Sequence, residues 1–267
     1  MKRIIIFSSF IIALTNYSKA QGIYDIALWY QYKECAITYT FDDNTPKQLT
    51  VALPIFDSLG FKATFYPVIN WNPDWNKLKT AALNGHEVAC HTLSHPFLNK
   101  IDSIEEEKEY MLSISTINKQ IGTDDCKTIA YPYCITGRKN IIEKYFIGGR
   151  ICNGQIVLST PSDFYNISSI LIGSETSINK AEDLNNLVNQ AKASKGWCIF
   201  LLHGIDNDGG YSSINSSELR KHLIYVKNNN DKFWVTSFAN AIKYIKERNS
   251  IKIEEISNNN DTISIKV

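Results

Sequence analysis

The chain has 267 residues, of which 44% are hydrophobic and 21% are charged, a composition typical of a folded protein with a sizeable core. Its 28 Lys and Arg residues nearly balance 27 Asp and Glu residues, for a formal net charge of +1. Because no basic stripe runs along the chain, this balance excludes the electrostatic footprint of a nucleic-acid-binding protein.

The beginning of the chain has the pattern of a secretory signal peptide. Met1–Arg3 is basic, residues 4–14 are apolar, and Ser18-Lys19-Ala20 fits a small-x-small cleavage site. The apolar run is shorter than the stretch of about 20 residues that a membrane-spanning helix needs. We therefore expect an exported protein, periplasmic or extracellular, without membrane insertion. Removal of residues 1–20 would leave 25 Lys and Arg against 27 acidic residues, a net charge of −2.

All six cysteines follow residue 20. Three lie within apolar, strand-like runs and are expected to be buried free thiols, namely Cys35, Cys90 and Cys198. The other three lie nearer predicted loops, where one pair could form a disulfide bond in an oxidising compartment: Cys126, Cys134 and Cys152. The absence of any C-x2-C pair argues against a sulfur-ligated structural zinc site.

From Cys35 onward, short apolar runs alternate with helical patterns. The predicted strands are Cys35–Thr40, Lys62–Val68, His86–Cys90, Lys127–Tyr131, Tyr145–Cys152, Trp197–His203 and Phe233–Thr236. The predicted helices are Pro46–Leu59, Pro73–Asn84, residues 103–121 with a capping box of Ser103 and Glu106, Lys180–Ser194, Ser217–Asn228, and Phe238–Arg248 capped by Ser237.

This alternation predicts an α/β fold with parallel strands and right-handed crossovers. About seven such units favour a closed or nearly closed (β/α) barrel over an open sheet. After the last helix, residues 251–255 and 262–267 alternate apolar and polar side chains around Asn258–Asp261, which predicts a β-hairpin or the start of a β-module. We therefore predict a barrel domain over residues 21–250 and a C-terminal extension over residues 251–267.

Polar side chains with metal-binding and proton-transfer chemistry follow three of the predicted strands. Asp42-Asp43 closes the first strand, His91 and His95 follow the third, and His203 ends the sixth. In α/β proteins the carboxyl ends of parallel strands are where functional sites collect. Two histidines four residues apart would share one face of a helical turn and could bind one metal ion, although this spacing alone is a weak signal.

These segments form an ordered set of motifs: Thr-Phe-Asp-Asp at 40–43, His-Thr-Leu-Ser-His at 91–95 and Leu-Leu-His at 201–203. As a set they resemble carbohydrate esterase family four, the polysaccharide deacetylases with the NodB homology domain. The resemblance covers Trp29 to Arg248 and implies a distorted (β/α) barrel of the NodB type. It also includes two segments similar to the family's framework, Gly60–Phe65 and Gly85–Glu87.

The resemblance implies an acetylated glycan as substrate and a divalent metal ion as cofactor, Zn²⁺ first, with Co²⁺ or Ni²⁺ as alternatives. The metal ligands would be Asp43, His91 and His95, a set that leaves coordination positions open for chemistry. Adjacent carboxylates on extended backbone point to different sides, so Asp42 can take the separate role of general base.

Further roles implied by the family fall on three residues. His203 would be the general acid, the backbone N–H of Tyr133 would stabilise the oxyanion, and Leu201 would line the pocket for the acetyl methyl group. N-acetylated and O-acetylated substrates are both compatible with this arrangement. We expect a monomer.

The third motif departs from the family pattern Arg-x-Pro-Tyr/Phe-Gly, because this chain has Ala130-Tyr131-Pro132-Tyr133-Cys134. The missing arginine normally orients the catalytic Asp, and Arg150, in a later strand, could supply a guanidinium group to Asp42 instead. The acidic segment that normally supports the catalytic His is not recognisable. Candidates to orient His203 are Asp163, Asp206 and Asp208.

Each assignment has a structural alternative. Asp42 and Asp43 could cap the following helix, and the histidines at 91, 95 and 203 could be hydrogen-bonded framework residues. His86 is expected to make framework hydrogen bonds and His222 to be solvated. Aromatic residues that could stack on sugar rings or simply pack are Trp71, Trp75 and Tyr133. At the level of function, the alternatives are a non-catalytic glycan-binding barrel and a hydrolase of a small non-sugar amide.

Overall fold

The computed structural model describes residues 25–259 and 262–266, and the predicted signal peptide lies outside them. The strands are β1 Cys35–Asp42, β2 Thr64–Tyr66, β3 Glu87–Val88, β4 Thr128–Ala130, β5 Gly148–Ile151, β6 Ile167–Ser168, β7 Ile170–Leu171, β8 Trp197–Leu202, β9 Phe233–Val235, β10 Glu254–Asn259 and β11 Thr262–Lys266. The helices are α1 Leu53–Leu59, α2 Trp75–Leu83, α3 Ser103–Ile121, α4 Lys139–Tyr145, α5 Ala181–Ala193, α6 Ser216–Asn228 and α7 Phe238–Ser250.

The strands β1 to β9 pair in parallel throughout. One sheet has the order β3-β2-β1-β8-β7, with β9 also paired to β1, and a second has the order β4-β5-β6. Helices connect most successive strands, as parallel pairing requires. The predicted α/β fold with parallel sheets is confirmed.

The two sheets are connected at two places along the chain. A single bridge between Cys90 and Ile129 joins the end of β3 to β4. On the other side, β6 and β7 are separated by Ser169 alone, and they pair with β5 and β8 respectively. The strand order matches that of a distorted barrel, although only one bridge joins β3 to β4 and, in the described part of the chain, no ladder pairs β6 with β7.

Successive side chains of β1 point to opposite sides of the strand, and this alternation sets the direction of the Asp42 side chain. Cys35, Ile37, Tyr39 and Phe41 belong to the larger hydrophobic cluster, against which helices pack. The alternate residues point to the opposite side of the strand, where Thr40 Oγ1 donates to Phe200 O at 2.8 Å. Asp42 continues this second row, so it is buried, while the chain leaves the strand at Asp43.

Two predicted helices differ from the structure within or beside their first turns. Residues 48–52 form a π-helical turn before α1, within the predicted helix Pro46–Leu59. At α3 the predicted capping box is wrong, because Asp102 is the N-cap and accepts hydrogen bonds from the backbone of Ile104 and Glu105. Glu106 is instead fully buried and accepts a hydrogen bond from Arg138 N.

Short elements account for most of the remaining differences. The seven-residue α4 and the two-residue strands β6 and β7 were not predicted, because such lengths carry too few residues to show a period. The predicted hairpin corresponds to the antiparallel pair β10–β11. The division of the chain into domains stays a prediction. In the described part of the chain, every helix is too short or too polar to cross a membrane.

Candidate active site

The carboxyl ends of β1 and β8, together with the loop after β3, surround a cavity of about 510 Å³. Every residue predicted as catalytic, metal-binding or substrate-contacting lines this cavity: Asp42, Asp43, His91, His95, Tyr133, Leu201 and His203. The two predicted supporting residues, Arg150 and Asp206, lie outside the lining.

Three of the lining residues bring possible metal ligands together. Asp43 Oδ1 lies 3.3 Å from His91 Nε2 and 3.6 Å from His95 Nε2. Ligand bonds of about 2.1 Å in tetrahedral geometry place donor atoms about 3.4 Å apart, which matches these separations. Asp43 Oδ1 is also buried without a hydrogen-bond partner. An acceptor in that state suits a cation, so the residues fit a divalent metal ion.

The backbone orients His91 for this role. His91 Nδ1 donates a hydrogen bond to Ala130 O at 2.7 Å, which places the proton on Nδ1 and leaves the Nε2 lone pair facing the cluster. His91 and His95 do not share a helical turn as their spacing suggested, because residues 91–95 form a loop. Thr92 and His95 have positive φ values of 66° and 62°, and this sharp turn brings the two imidazole rings to 4.8 Å.

The charges of the cluster set its protonation. Burial raises the pKa of Asp43, but the interactions of its carboxylate with His91, His203 and His95 outweigh burial, so the net pKa is lowered. Burial and the neighbouring His91 lower the pKa of His95 to about 4. Burial lowers the pKa of His91, yet Asp42 and Asp43 outweigh it and the net pKa is raised. Asp43 and His95 thus already have the ionisation that metal ligands need, whereas a proton competes with a metal at His91.

Arg150 binds the carboxylate of Asp42 and fixes its position. Arg150 Nη2 donates to Asp42 Oδ2, and its Nη1 donates to Ser169 Oγ at 3.1 Å. In the β4–β5 pair, Arg150 lies directly opposite Ala130, the small residue that stands where the family motif has arginine. The guanidinium group that the sequence led us to expect therefore reaches Asp42 from the neighbouring strand. Asp42 Oδ1 is buried and has no hydrogen-bond partner.

His203 faces the cluster, with Nε2 at 3.7 Å from Asp43 Oδ2. Its Nδ1 is buried without a hydrogen-bond partner, so none of the described carboxylates orients the ring. Burial lowers the pKa of His203, and the negative charges of Asp42 and Asp43 oppose that shift without reversing it. Tyr211, which no motif marks, packs edge-on against the ring with centroids 5.2 Å apart.

The three acidic residues that were predicted to orient His203 accept hydrogen bonds from backbone N–H groups instead. Asp206 accepts from Ser216 N at the start of α6, at 2.7 Å. Asp208 accepts from Lys47 N at 3.0 Å, and Asp163 accepts from Tyr165 N at 2.8 Å. The assignment of Asp206 to His203 is therefore wrong, because unpaired amide groups at a helix start and in turns bind these carboxylates first.

The loop after β4 forms one wall of the cavity. Tyr133 has a positive φ of 54°, and its half-exposed ring stacks on Phe97 with centroids 3.9 Å apart. The next residue, Cys134, forms a disulfide bond with Cys152, just after β5, and both cysteines line the cavity. The pair therefore lies within the set that the sequence left open. The other four cysteines are free and buried, Cys126 among them.

Two histidines outside the site had predicted roles. His86 makes the expected framework contacts, accepting from Ala63 N at 3.1 Å and contacting Asp57 Oδ1 at 3.0 Å. The prediction that His222 is solvated is wrong. Its ring is fully buried between Tyr39 Oη and Asn185 Oδ1, each at 2.7 Å, and burial lowers its pKa to about 3.

The predicted aromatic residues divide between rim and core. Trp71 lines the cavity and is half-exposed, with its ring 4.9 Å from that of His95. Trp75 instead packs against the hydrophobic core. The cavity lining also includes Tyr131 and Leu171, which sequence reasoning missed because nothing in their local pattern separates them from core residues.

Comparison with known proteins relates this site to a family. The polysaccharide deacetylase family matches residues 30–142, which include Asp42, Asp43, His91 and His95 and end before His203. A gellan lyase from Bacillus sp is 26% identical over 262 residues, an alignment that covers 89% of this chain. The chain spans only 10% of the length of that relative.

Two solved structures share the fold. Peptidoglycan deacetylase PdaC from Bacillus subtilis is 17% identical with a TM-score of 0.59, over 81% of this chain and 94% of that one. Puue allantoinase is 10% identical with a TM-score of 0.64, over 89% of this chain and 97% of that one. The expected resemblance is confirmed: residues 30–142 carry the sequence pattern of a polysaccharide deacetylase, within a chain that has the fold of these enzymes.

Proposed function

We propose that this chain is an exported, metal-dependent hydrolase that removes N- or O-linked acetyl groups from a polysaccharide or oligosaccharide. The observation that carries the proposal is the meeting of three ligand atoms, an unpartnered Asp42 oxygen and the His203 ring in one cavity. Asp43, His91 and His95 would hold the ion. Zn²⁺ is the first candidate because two imidazoles and a carboxylate are its common donor set in hydrolytic sites.

A divalent cation at this position would supply a Lewis acid that polarises the acetyl carbonyl and acidifies water. Asp42 is suited to take the proton of the attacking water, because Arg150 holds one carboxylate oxygen and leaves Oδ1 free. His203, on the same cavity, would protonate the amine or hydroxyl as its bond to the acetyl carbon breaks and acetate leaves. Tyr133 N–H and Leu201 would contact the acetyl oxygen and methyl group.

The rim of the cavity favours a glycan. Trp71, Tyr133 and Tyr211 are 48%, 52% and 56% exposed, and all three line the cavity. A second groove of about 330 Å³ adjoins it and shares Asp43, Trp71 and Tyr211 with it. Exposed aromatic faces along an extended groove suit successive sugar rings, whose C–H faces pack on aromatic side chains.

A hydrolase of a small non-sugar amide is the second candidate, because allantoinase shares the fold over 89% of this chain. Such an enzyme would need an enclosed pocket, whereas the two adjoining grooves here are open to one another through shared residues. A non-catalytic glycan-binding barrel is disfavoured, because binding alone would not need a free carboxylate oxygen and an imidazole beside the ligand cluster.

The experiment that tests the proposal is acetate release from N-acetylchitooligosaccharides and from acetylxylan. Native, chelator-treated and metal-restored protein would be compared with Asp42→Asn. Release that depends on metal and is lost in Asp42→Asn supports the proposal, and the preferred substrate assigns N- or O-deacetylation. Stoichiometric metal binding without release from either glycan would direct attention to small amides. A protein that binds no divalent metal would refute the proposed mechanism.

A further inference from the structure

The loop between the two ligand histidines depends on side chains for its hydrogen bonds. Residues 92–95 belong to no helix or strand, so their backbone N–H groups lack the usual carbonyl partners. All of these N–H groups donate to side-chain atoms: Thr92 to Cys90 Sγ, Leu93 and Ser94 to Glu109 Oε2, and His95 to Thr92 Oγ1. Glu109 thus accepts half of them.

Glu109 makes this contact with both carboxylate oxygens. Oε2 accepts from Leu93 N at 2.8 Å and Ser94 N at 2.9 Å, and Oε1 accepts from Ser94 Oγ at 2.6 Å. Hydrogen bonds to an ionised acceptor are shorter and stronger than hydrogen bonds between neutral groups. These three contacts join the centre of the loop to α3, whose neighbouring residue Tyr110 is fully buried.

The loop needs such support because its backbone is strained. Thr92 and His95 both have positive φ values, and a β-branched residue such as Thr92 rarely adopts that region. Backbone conformations of this kind are unfavourable and persist only where the surrounding structure holds them. The same turn brings His91 Nε2 and His95 Nε2 onto Asp43 Oδ1.

We propose that Glu109 is a positioning residue for the metal site. It does not line the cavity, and its hydrogen bonds go to Leu93 and Ser94 rather than to the ligand side chains, so it acts through the loop backbone. By holding that backbone, it keeps His91 and His95 converged before a metal ion arrives. This inference rests on the proposed function, because it assigns to Glu109 a share of the affinity of the Asp43, His91 and His95 site.

The test compares three variants. Glu109→Met removes every acceptor at similar volume, Glu109→Gln keeps one acceptor oxygen, and Glu105→Met is the matched control, an exposed glutamate one turn earlier on the same helix. Zinc affinity would be measured by competition with a chromogenic chelator. The absorption spectrum of the cobalt-loaded protein would report ligand geometry, and hydrogen exchange would follow the Leu93 and Ser94 amides.

We expect Glu109→Met to bind zinc about 10–100-fold more weakly, as loss of groups that orient metal ligands does. Its Leu93 and Ser94 amides should exchange faster and its cobalt spectrum should change. Glu109→Gln should be intermediate, and it carries the test if Glu109→Met does not fold. Glu105→Met should match the wild type.

Two results would overturn the inference while leaving the proposed function intact. One is wild-type zinc affinity and an unchanged cobalt spectrum in both Glu109 variants. The other is a lower melting temperature of the metal-free protein with no change in zinc affinity, which would assign Glu109 to stability alone. Failure of the wild-type protein to bind zinc would instead refute the proposed function itself.

Discussion

Arg150 Nη2 donates a hydrogen bond to Asp42 Oδ2, and the two residues are 1% and 3% exposed. A buried charge needs a partner, because its desolvation otherwise costs several kcal/mol, on the order of 3–5. Arg150 lies on β5 directly opposite Ala130 on β4, the position at which the family motif has arginine. Asp42, the base of the proposed reaction, is therefore oriented by Arg150 on β5, a strand that carries none of the family's recognised motifs.

Removal of this guanidinium group should weaken both activity and stability. We expect Arg150→Met to lower kcat about 100-fold, as misplacement of a reacting group by about 1 Å can do. It should also lower the free energy of unfolding by about 3–5 kcal/mol, because it leaves the Asp42 carboxylate buried and unpaired. Steady-state kinetics and urea unfolding measure the two effects.

The double variant Arg150→Met with Asp42→Asn separates charge from packing. It should recover most of the lost stability, because no buried charge remains. Arg220→Met, at an exposed arginine on α6, is the control and should change neither quantity. Equal stability of Arg150→Met and the wild type would show that the ion pair does not hold Asp42.

Zinc binding should stabilise the folded protein, and this stabilisation can be measured independently of acetate release. Zinc at about 100 times its dissociation constant should stabilise the wild type by about 2.7 kcal/mol, and chelator should remove this gain. His95→Ala should lose the zinc-dependent shift in melting temperature. His203→Gln should keep the shift but lose acetate release, because His203 lies outside the ligand set. A zinc shift retained in His95→Ala would contradict the assigned ligands.

His222 should make the protein sensitive to acid. Burial lowers the pKa of folded His222 from 6.5 to about 3, so the unfolded chain takes up a proton first as the pH falls. The free energy of unfolding should therefore be unaffected above pH 6.5 and should decrease by up to about 1.4 kcal/mol per pH unit below it. In the folded protein the buried neutral ring accepts a hydrogen bond from Tyr39 Oη and donates one to Asn185 Oδ1.

Unfolding curves of the wild type and His222→Gln between pH 7 and pH 4 isolate this contribution, because the other titrating groups are common to both proteins. The variant should lose stability less steeply as the pH falls. Parallel curves would mean that protonation of His222 does not contribute to acid unfolding.

The Cys134–Cys152 disulfide should hold the Tyr133 wall of the cavity. It closes a loop with a sequence separation of 18, for which chain-entropy arguments give about 3 kcal/mol of stabilisation. Changing both cysteines to serine should lower stability by about that amount and lower kcat, with zinc affinity unchanged, because no ligand lies in that loop. Reductant should reproduce these effects in the wild type and have none on the double variant. If reductant affects both proteins equally, the effect does not come from this bond.

Substitution of Trp71 would test whether the substrate is an oligosaccharide. Trp71→Ala should raise KM for an acetylated oligosaccharide about tenfold, the equivalent of roughly 1.4 kcal/mol of lost stacking. Turnover of a small acetyl ester that cannot reach the rim should stay near the wild-type rate. Tyr32→Ala, at a residue that is 73% exposed and outside the cavity, is the control. Equal loss on both substrates would favour a small substrate instead.

Part of the site follows from local patterns in the sequence. Asp42, His91 and His203 were identified because each lies at the end of an apolar run, and parallel strands bring such ends to one edge of the sheet. Local patterns do not predict the partner of a side chain that has several hydrogen-bond partners within reach in the folded protein. Asp206 is close to His203 in the chain, yet it binds Ser216 N, and His222 follows a lysine, yet α6 turns its ring into the core.

By itself the sequence determined the parallel α/β arrangement and the motif-bearing strand ends, because periodicity and spacing are local properties of the chain, and its resemblance to a known family implied the ligand set. Only the tertiary structure decided which partners hold that set in place. Arg150 and Asp42 are 108 positions apart, and Glu109 reaches Ser94 from a different element. Such pairings depend on strand register and on how helices pack around the barrel, and no spacing along the chain specifies them.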